Sequence, residues 1–357
     1  MAEASATYSR LRESLATPAD DGGEAPSRTA PLSRANRSPV TKTGLIVNPL
    51  SGKRNSKGLA LVEKLRTDTS MTVRVIERFE QLPGFVEDMA RDEVSDLFIS
   101  SGDGTIQEIL THIAERPLFR KRPRISLLPH GTTNLTAADL GLRHRSIDAQ
   151  AQFMRGHARN DLRPRPTIRC ANPGDGKVRH GMFVSTGAVS LGTLFCQQAF
   201  NARGVKGQWA TFATIASAAG KAIFTAPNPD DATRLDRPYD IAVEANGRRR
   251  ADGPLLLQMS TTLEKLVLNT RPFWGGKTGP IRTSLFPYPV PSVVRWLLPV
   301  MYGSENRTPP PGSTSFCSEE VSVTSKVMFV IDGEFFDPPK DEPLRLETGP
   351  VFTFVCG

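Results

Sequence analysis

The sequence predicts an α/β protein: a doubly wound parallel sheet in its N-terminal part, followed by a mainly antiparallel β region. Strand-like and helix-like segments alternate strictly from residue 43 to about residue 141, as expected for a parallel sheet covered on both faces. Near residue 158 the pattern changes to strands with few helices, which reads as a sandwich or curled antiparallel sheet. Three glycine-containing loops each follow an apolar strand directly. In a doubly wound sheet that placement brings them to one carboxyl edge, where ligands bind.

Each element has a local reason. GLIVNP is a short buried strand ended by Pro49, and KGLALVEKLRTD follows with helical spacing. MTVRVIE is a second strand, and PGFVEDMAR a helix that carries proline in its first turn, where the missing N–H costs nothing. DLFISS and TIQEILTHIAER form the next strand and helix; ISLLP and NLTAADLG form the last such pair. Beyond residue 158 the strands are DLRPRPTIRC, KVRHGMFVSTGA, PYDIAVEAN, GPLLLQMS, KLVLN, GPIRTSLF, EEVSVTSKVMFVIDGE, PLRLET and VFTFVC. Two helices interrupt them, SLGTLFCQQAFNA and GQWATFATIASAAGKAIF, and ENRTPPPGSTS reads as an exposed loop. The expected organisation is a disordered Ser/Ala/Pro-rich tail over 1–40, a nucleotide-binding α/β domain over 41–158 and a β-rich substrate domain over 159–357.

Composition narrows the classes. At 357 residues there is room for two cores, and the chain holds no run of eighteen apolar residues and no apolar leader. Four cysteines without metal spacing read as buried thiols in a reducing cytoplasm. The formal charge of +8 suits an anionic partner. No helix-turn-helix, zinc-finger or aromatic RNA-binding pattern accompanies it, so nucleic acid is not expected.

The chemistry lies in the three loops. The first is Asn48-Pro49-Leu50-Ser51-Gly52-Lys53; the second is Ser101-Gly102-Asp103-Gly104-Thr105, with Glu108 one turn on; the third is Pro129-His130-Gly131-Thr132-Thr133-Asn134. Small residues let backbone amides approach phosphate oxygens, and the positive end of a following helix adds attraction. Two other motifs fail. Gly275-Gly276-Lys277-Thr278 ends like a Walker loop, but Arg271 stands where the earlier glycine is needed. Gly102 and Gly104 open a dinucleotide fingerprint in which Gln107 occupies the third glycine position.

The segments VNPLSGK, SSGDGTIQEIL, LLPHGTTNLTAADLGL and VIDGEFF occur in an order that resembles the diacylglycerol kinase catalytic superfamily, which includes bacterial lipid kinases, sphingosine kinases and ceramide kinases. The likeness runs over residues 43–357. NAD kinases share the GDGT loop and a related fold; the Asn-Pro opening, the GT-x-N loop and the terminal DGE favour the lipid branch. The resemblance implies an ATP-dependent lipid kinase that acts on diacylglycerol, ceramide or a sphingoid base with Mg²⁺. It also implies a cytoplasmic enzyme working at the inner membrane face, with a homodimer left open.

The same likeness implies roles. Asn48, Ser51 and Gly52 match the nucleotide-contacting opening loop. Gly102, Asp103, Gly104 and Thr105 match the central loop, with Glu108 where the ribose is approached, while Gly131, Thr132 and Asn134 match the loop on the phosphates. Asp332, Gly333 and Glu334 match the motif that supplies the carboxylate for the acceptor hydroxyl. As hard oxygen ligands, Asp103 and Asp332 suit Mg²⁺, and Glu334 suits a general base. Ser101 stands where the family usually has a second glycine, and residues 274–285 lack the acids linked to a structural metal in many members, so that metal is not expected. Lys53 reads equally as a phosphate contact or a solvated lysine, His130 as an ordinary loop histidine, and residues 291–299 as a buried helix stopped by Pro299. NAD kinase is the alternative enzyme; a catalytically silent lipid- or nucleotide-binding regulator is the alternative of another class.

Overall fold

The computed structural model describes residues 42–51, 55–131, 134–156, 159–190, 234, 236–276, 278–289 and 293–357. The expected tail and both helices expected between residues 191 and 224 lie outside these residues.

Four parallel strands build the first part: β1 (Thr43–Val47), β2 (Met71–Val75), β3 (Asp96–Ser101) and β4 (Arg124–Pro129). They lie in the order β4-β3-β1-β2. β1 and β3 are buried along their whole length, which is why both read as continuous apolar runs without alternation. Crossing between them are α1 (Ser56–Leu65), α2 (Leu82–Arg91) and α3 (Asp103–Glu115). After β4 come α4 (Leu135–Leu140) and α5 (Ile147–Arg155). The sequence reading did not include α5; its signal is Ser146, whose hydroxyl accepts from the Ala149 amide as an N-cap. Ile46, Val86, Met89, Ile99, Ile106 and Ile109 form the core on one sheet face, and Leu45, Val47, Leu61, Phe98 and Met154 form it on the other.

The chain then turns antiparallel. β5 (Leu162–Cys170), β6 (Arg179–Gly181), β7 (Phe183–Gly187), β8 (Tyr239–Ala245), β9 (Arg248–Thr261) and β10 (Ile281–Pro287) are followed by α6 (Val293–Met301). The remaining strands are β11 (Thr314–Ser318), β12 (Glu320–Ser325), β13 (Phe329–Ile331), β14 (Glu334–Phe336) and β15 (Leu344–Val355). The fold class read from the sequence is thus what the structure has.

Long β15 joins the two regions. It pairs antiparallel with β5 and β12, and at Phe354 it meets Ile125 of β4 in parallel. The hydrogen-bonded sheet therefore runs without a break from the parallel strands into the antiparallel ones.

Three local readings are corrected. KLVLN is no strand: Val267–Asn269 is a 3-10 turn in which Leu268 and Asn269 both take positive φ, so β-branched and apolar composition was overridden by the turn. KVRHGMFVSTGA is two strands, β6 and β7, parted at Met182, whose amide leaves the ladder for a side-chain partner described below. Of the run 291–299, residues 291 and 292 lie outside the described residues; the helix is not stopped at Pro299, because α6 continues to Met301, and Leu298 within it is 66% exposed rather than buried.

Phe354 is fully buried at the one point where β15 meets β4. Phe354→Ala should cost about 3–5 kcal/mol in urea unfolding; a loss below about 1 kcal/mol would mean that β15 does not clamp the sheet.

Candidate active site

The three loops converge at their backbones. A Cβ placed on Gly131 would lie 2.6 Å from the Gly102 Cα and 3.0 Å from the Ser101 carbonyl oxygen. Only glycine allows that approach between the second and third loops. Ser51 of the first loop packs against Gly102 from another side. Its hydroxyl, like that of Ser101, is buried without a partner among the described residues.

Side chains lock this arrangement. Asp103 is 7% exposed at the start of α3, and its carboxylate accepts from the Leu135 and Thr136 amides at 3.0 and 3.2 Å. One acid therefore caps α4 while standing in the first turn of α3. Asn134 takes a left-handed conformation (φ 52°) and exchanges two hydrogen bonds with the Gly131 backbone, both 2.9 Å. Asn48 donates to the Thr105 hydroxyl at 2.9 Å and accepts from the Leu50 amide at 3.0 Å, fixing the first loop to α3. Gly102 supplies no side-chain cap, so the first-turn amides of α3 keep donors for an anion.

Residues that sequence reasoning missed complete the frame. Asn55 donates to the Asn48 carbonyl, the Ser100 carbonyl and the Ser100 hydroxyl, and accepts from the Gly58 amide. An asparagine just before an apolar-periodic run is an N-cap signal, so half of this role was legible. His130 lies between Ser100 (2.9 Å) and Gln150 (3.3 Å). Burial pushes its pKa down to about 4, with Lys57 adding to the shift. The ring is thus a neutral peg between sheet and α5, in keeping with an ordinary loop histidine.

The DGE segment reaches the same place from the far end of the chain. Ile331 pairs with Glu334 across a two-residue hairpin in which Asp332 and Gly333 both have positive φ, the conformation an Asp-Gly hairpin turn favours. Asp332 is 1% exposed, and its carboxylate accepts from the Met182 amide at 3.0 Å and the Phe183 amide at 2.8 Å. These bonds account for the break between β6 and β7. His180, two residues earlier, is pinned at Nδ1 to the Thr167 hydroxyl and at Nε2 to Glu115, both 2.8 Å. Burial keeps it below the usual histidine pKa. Glu334 then lies over the second loop: a Cβ on Gly104 would come 2.8 Å from its Oε1.

Asp103 is thus brought together with Asp332 and Glu334, which lie more than two hundred residues further along the chain. No lysine or arginine among the described residues forms an ion pair with any of them. Burial pushes the Asp103 carboxyl up to about 6, partly opposed by its amide bonds and helped by Glu334. Burial and then the charge of Asp103 push Asp332 up to about 8. Two buried carboxylates and the exposed Glu334, beside open helix-terminal amides, can hold a cation against an anion and can take up a proton.

Not every expected residue is placed. Gly52, Lys53 and Thr132 lie outside the described residues. Glu108 is half-buried one turn into α3, five residues beyond Asp103. The free thiols Cys170, Cys317 and Cys356 are buried. Among the described residues, no three His, Cys, Asp or Glu side chains are grouped to hold a metal by themselves.

This fold, a parallel α/β sheet continued by an antiparallel region, is shared with solved structures. Two candidate diacylglycerol kinases of Bacillus anthracis superpose with a TM-score of 0.60, at 15% and 13% identity, each over 90% of this chain and 99% of the other. A third structure, described as a diacylglycerol kinase of the same organism, gives 0.59 at 13% identity. Residues 42–161 match the family model of the diacylglycerol kinase catalytic domain, and the resemblance read from the motifs is borne out there. A candidate lipid kinase of Streptococcus pneumoniae is 29% identical over 101 residues, which cover 27% of this chain and about a third of that protein's length.

Gly131→Ala should disrupt the second and third loops together. The expected result is loss of ligand binding with a drop in melting temperature; a variant with parental stability would contradict the contact with Gly102. The acids predict a pH effect. Asp332 holds in the folded state a proton that the unfolded chain releases, because its folded pKa lies above the ordinary 3.8. In buffer free of divalent cations, stability should therefore fall as pH rises from about 4 towards 8, by up to ~1.4 kcal/mol per pH unit from this group, then level off. Asp332→Asn should lose that slope in urea titrations repeated across the range.

Proposed function

We propose that this protein is an ATP-dependent lipid kinase, transferring the γ-phosphoryl group to a hydroxyl of a membrane lipid of the diacylglycerol, ceramide or sphingoid-base kind. The observation that carries the reading is the placement of Glu334 over Gly104 of the GDGT loop. It sets a carboxylate beside the open N-terminus of α3, where a nucleotide's phosphates would be received. The family match over residues 42–161 supports the kinase half of the reading.

In this reading Gly102, Gly104 and Thr105 offer amides to the nucleotide phosphates, while Asn48, Ser51 and Gly52 close over it from the first loop. Gly131, Thr132 and Asn134 bound the phosphates on the other side, and Glu108 approaches the ribose. Glu334 orients the acceptor hydroxyl and takes its proton as the new O–P bond forms and the bond to the departing ADP breaks. The lipid leaves as a phosphomonoester. The half-buried setting of the loops keeps water from competing for the phosphoryl group.

The residues suit Mg²⁺. Asp103 and Asp332 are hard oxygen donors, buried, short of countercharge, and each retains acceptor capacity beyond its amide bonds. Two carboxylates without a third ligand match an ion that completes its shell with water and phosphate oxygens. Bound there, Mg²⁺ would supply charge neutralisation across the phosphates. Asp103 has a further duty to α4, so it both positions the loops and faces the ion.

The boundary near residue 158 fits a nucleotide-binding part over 41–158 and a lipid-acceptor part over 159–357. No helix among the described residues is long and apolar enough to cross a membrane. The proposed site of action is the cytoplasmic membrane surface, visited peripherally.

Radiolabelled ATP should transfer label to at least one lipid of a mixed-micelle panel and none to NAD. Label on NAD and on no lipid would overturn the proposal in favour of a NAD kinase. Glu334→Gln should lower kcat by about a hundredfold or more with little change in KM for ATP; an unchanged kcat would remove Glu334 from the proton transfer.

A further inference from the structure

α6 presents a face that the core does not cover. Arg295, Leu298 and Tyr302 recur at the spacing of one helix face (three and four residues apart). Arg295 is exposed, Leu298 is 66% exposed and Tyr302 is 39% exposed. Val300 turns the other way, against the core cluster that contains Leu135, Leu140 and Ile106. A single exposed leucine is ordinary on a soluble protein, but Leu298 shares one face of α6 with the exposed Arg295 and Tyr302.

Charge and aromatic content select the partner. Residues 271–318 contain Arg271, Lys277, Arg282, Arg295 and Arg307 against the single acid Glu305. Arg271, Arg295 and Arg307 are exposed, and none has an acidic partner among the described residues. The same stretch holds two of the chain's three tryptophans and two of its four tyrosines. Arg295 lies over the Trp296 ring, 5.4 Å from its centroid. Cationic, aromatic and exposed aliphatic groups on one helix are the composition of an interfacial element on an anionic lipid surface.

Position supports the same partner. The Arg271 amide donates to the Met301 carbonyl at 2.7 Å, joining α6 to the segment 263–274. At its start that segment is tied to α4, the helix of the third loop, by the Glu264 amide on Asp139 at 2.8 Å. Two hydrogen bonds thus run from α6 through this segment to the helix that follows the third loop.

We infer that the outward face of α6, with Arg271 and Arg307 beside it, docks this protein onto an anionic bilayer. The inference rests on the lipid-acceptor reading for its purpose, and on the exposed face alone for its chemistry.

The test is sedimentation of the full chain with vesicles of phosphatidylcholine, and of phosphatidylcholine with about 30 mol % phosphatidylglycerol. Binding should require the anionic lipid and weaken with salt. It should fall at least about tenfold in Leu298→Asp and in Arg295→Glu. Both variants should keep the parental melting temperature and the parental rate on a short-chain lipid acceptor present as monomers. Arg295→Glu keeps the test decisive if Leu298→Asp proves unstable. Unchanged vesicle binding in both variants, or no binding by the parent, would overturn the inference. So would a dimer, detected by analytical ultracentrifugation, that Leu298→Asp abolishes while vesicle binding persists. Variant-sensitive binding by a protein that phosphorylates no lipid would uphold the docking face and sink the kinase reading instead.

Discussion

The backbone contact between Gly102 and Gly131 sets the rest of the site. Two strand-to-helix turns meet closely enough to exclude a methyl group from Gly131, and the Asp103 carboxylate then caps the helix that begins beyond the second turn. Because the same residue stands in the first turn of α3, the starts of two helices are held by one side chain. Asn48, Asn55 and Asn134 spend their amide groups on the loops' own backbones. What remains free is a rim of small residues and open helix-terminal donors, the surface that a polyphosphate needs.

Opposite that rim, the fold accepts an unfavourable charge arrangement. Asp103 and Asp332 are hidden from water, which raises the pKa of each; the charge of Asp103 raises Asp332 further, and that of Glu334 raises Asp103. Amide hydrogen bonds offset part of the desolvation but supply no countercharge. Such an arrangement destabilises the fold in isolation, and it persists where a cationic ligand or a proton-transfer role gives it use. The backbone of β6 and β7 is broken to supply amides to Asp332, and His180 anchors that break through Thr167 and Glu115. The strain of the site is thus carried by the antiparallel strands as well as by the loops.

The parallel order was legible because buried strands read as unbroken apolar runs and the intervening helices keep a 3.6-residue period. The loops were legible because glycine, threonine and asparagine recur directly after those runs. Other features were not. The turn at Val267–Asn269 was hidden by its strand-like composition, and α5 by its low hydrophobicity. The exposure of Leu298 could not be read from an apolar run, since burial depends on what packs against each helix face. For the same reason Ser100, Gln150 and His180 gave no signal: their roles exist through partners 13 to 65 residues away.

By itself the sequence determined the fold class and the three edge loops, because these depend on local periodicity and on backbone conformations that few residues tolerate. Tertiary structure alone decided that Glu334 lies over Gly104, that Asp103 caps α4, and that Asp332 draws its amides from Met182 and Phe183. Those contacts span 32 to 230 residues of chain. The placement of Asp332 against Met182 and Phe183 accompanies the pairing of β13 with β7, a long-range pairing that no window of sequence encodes.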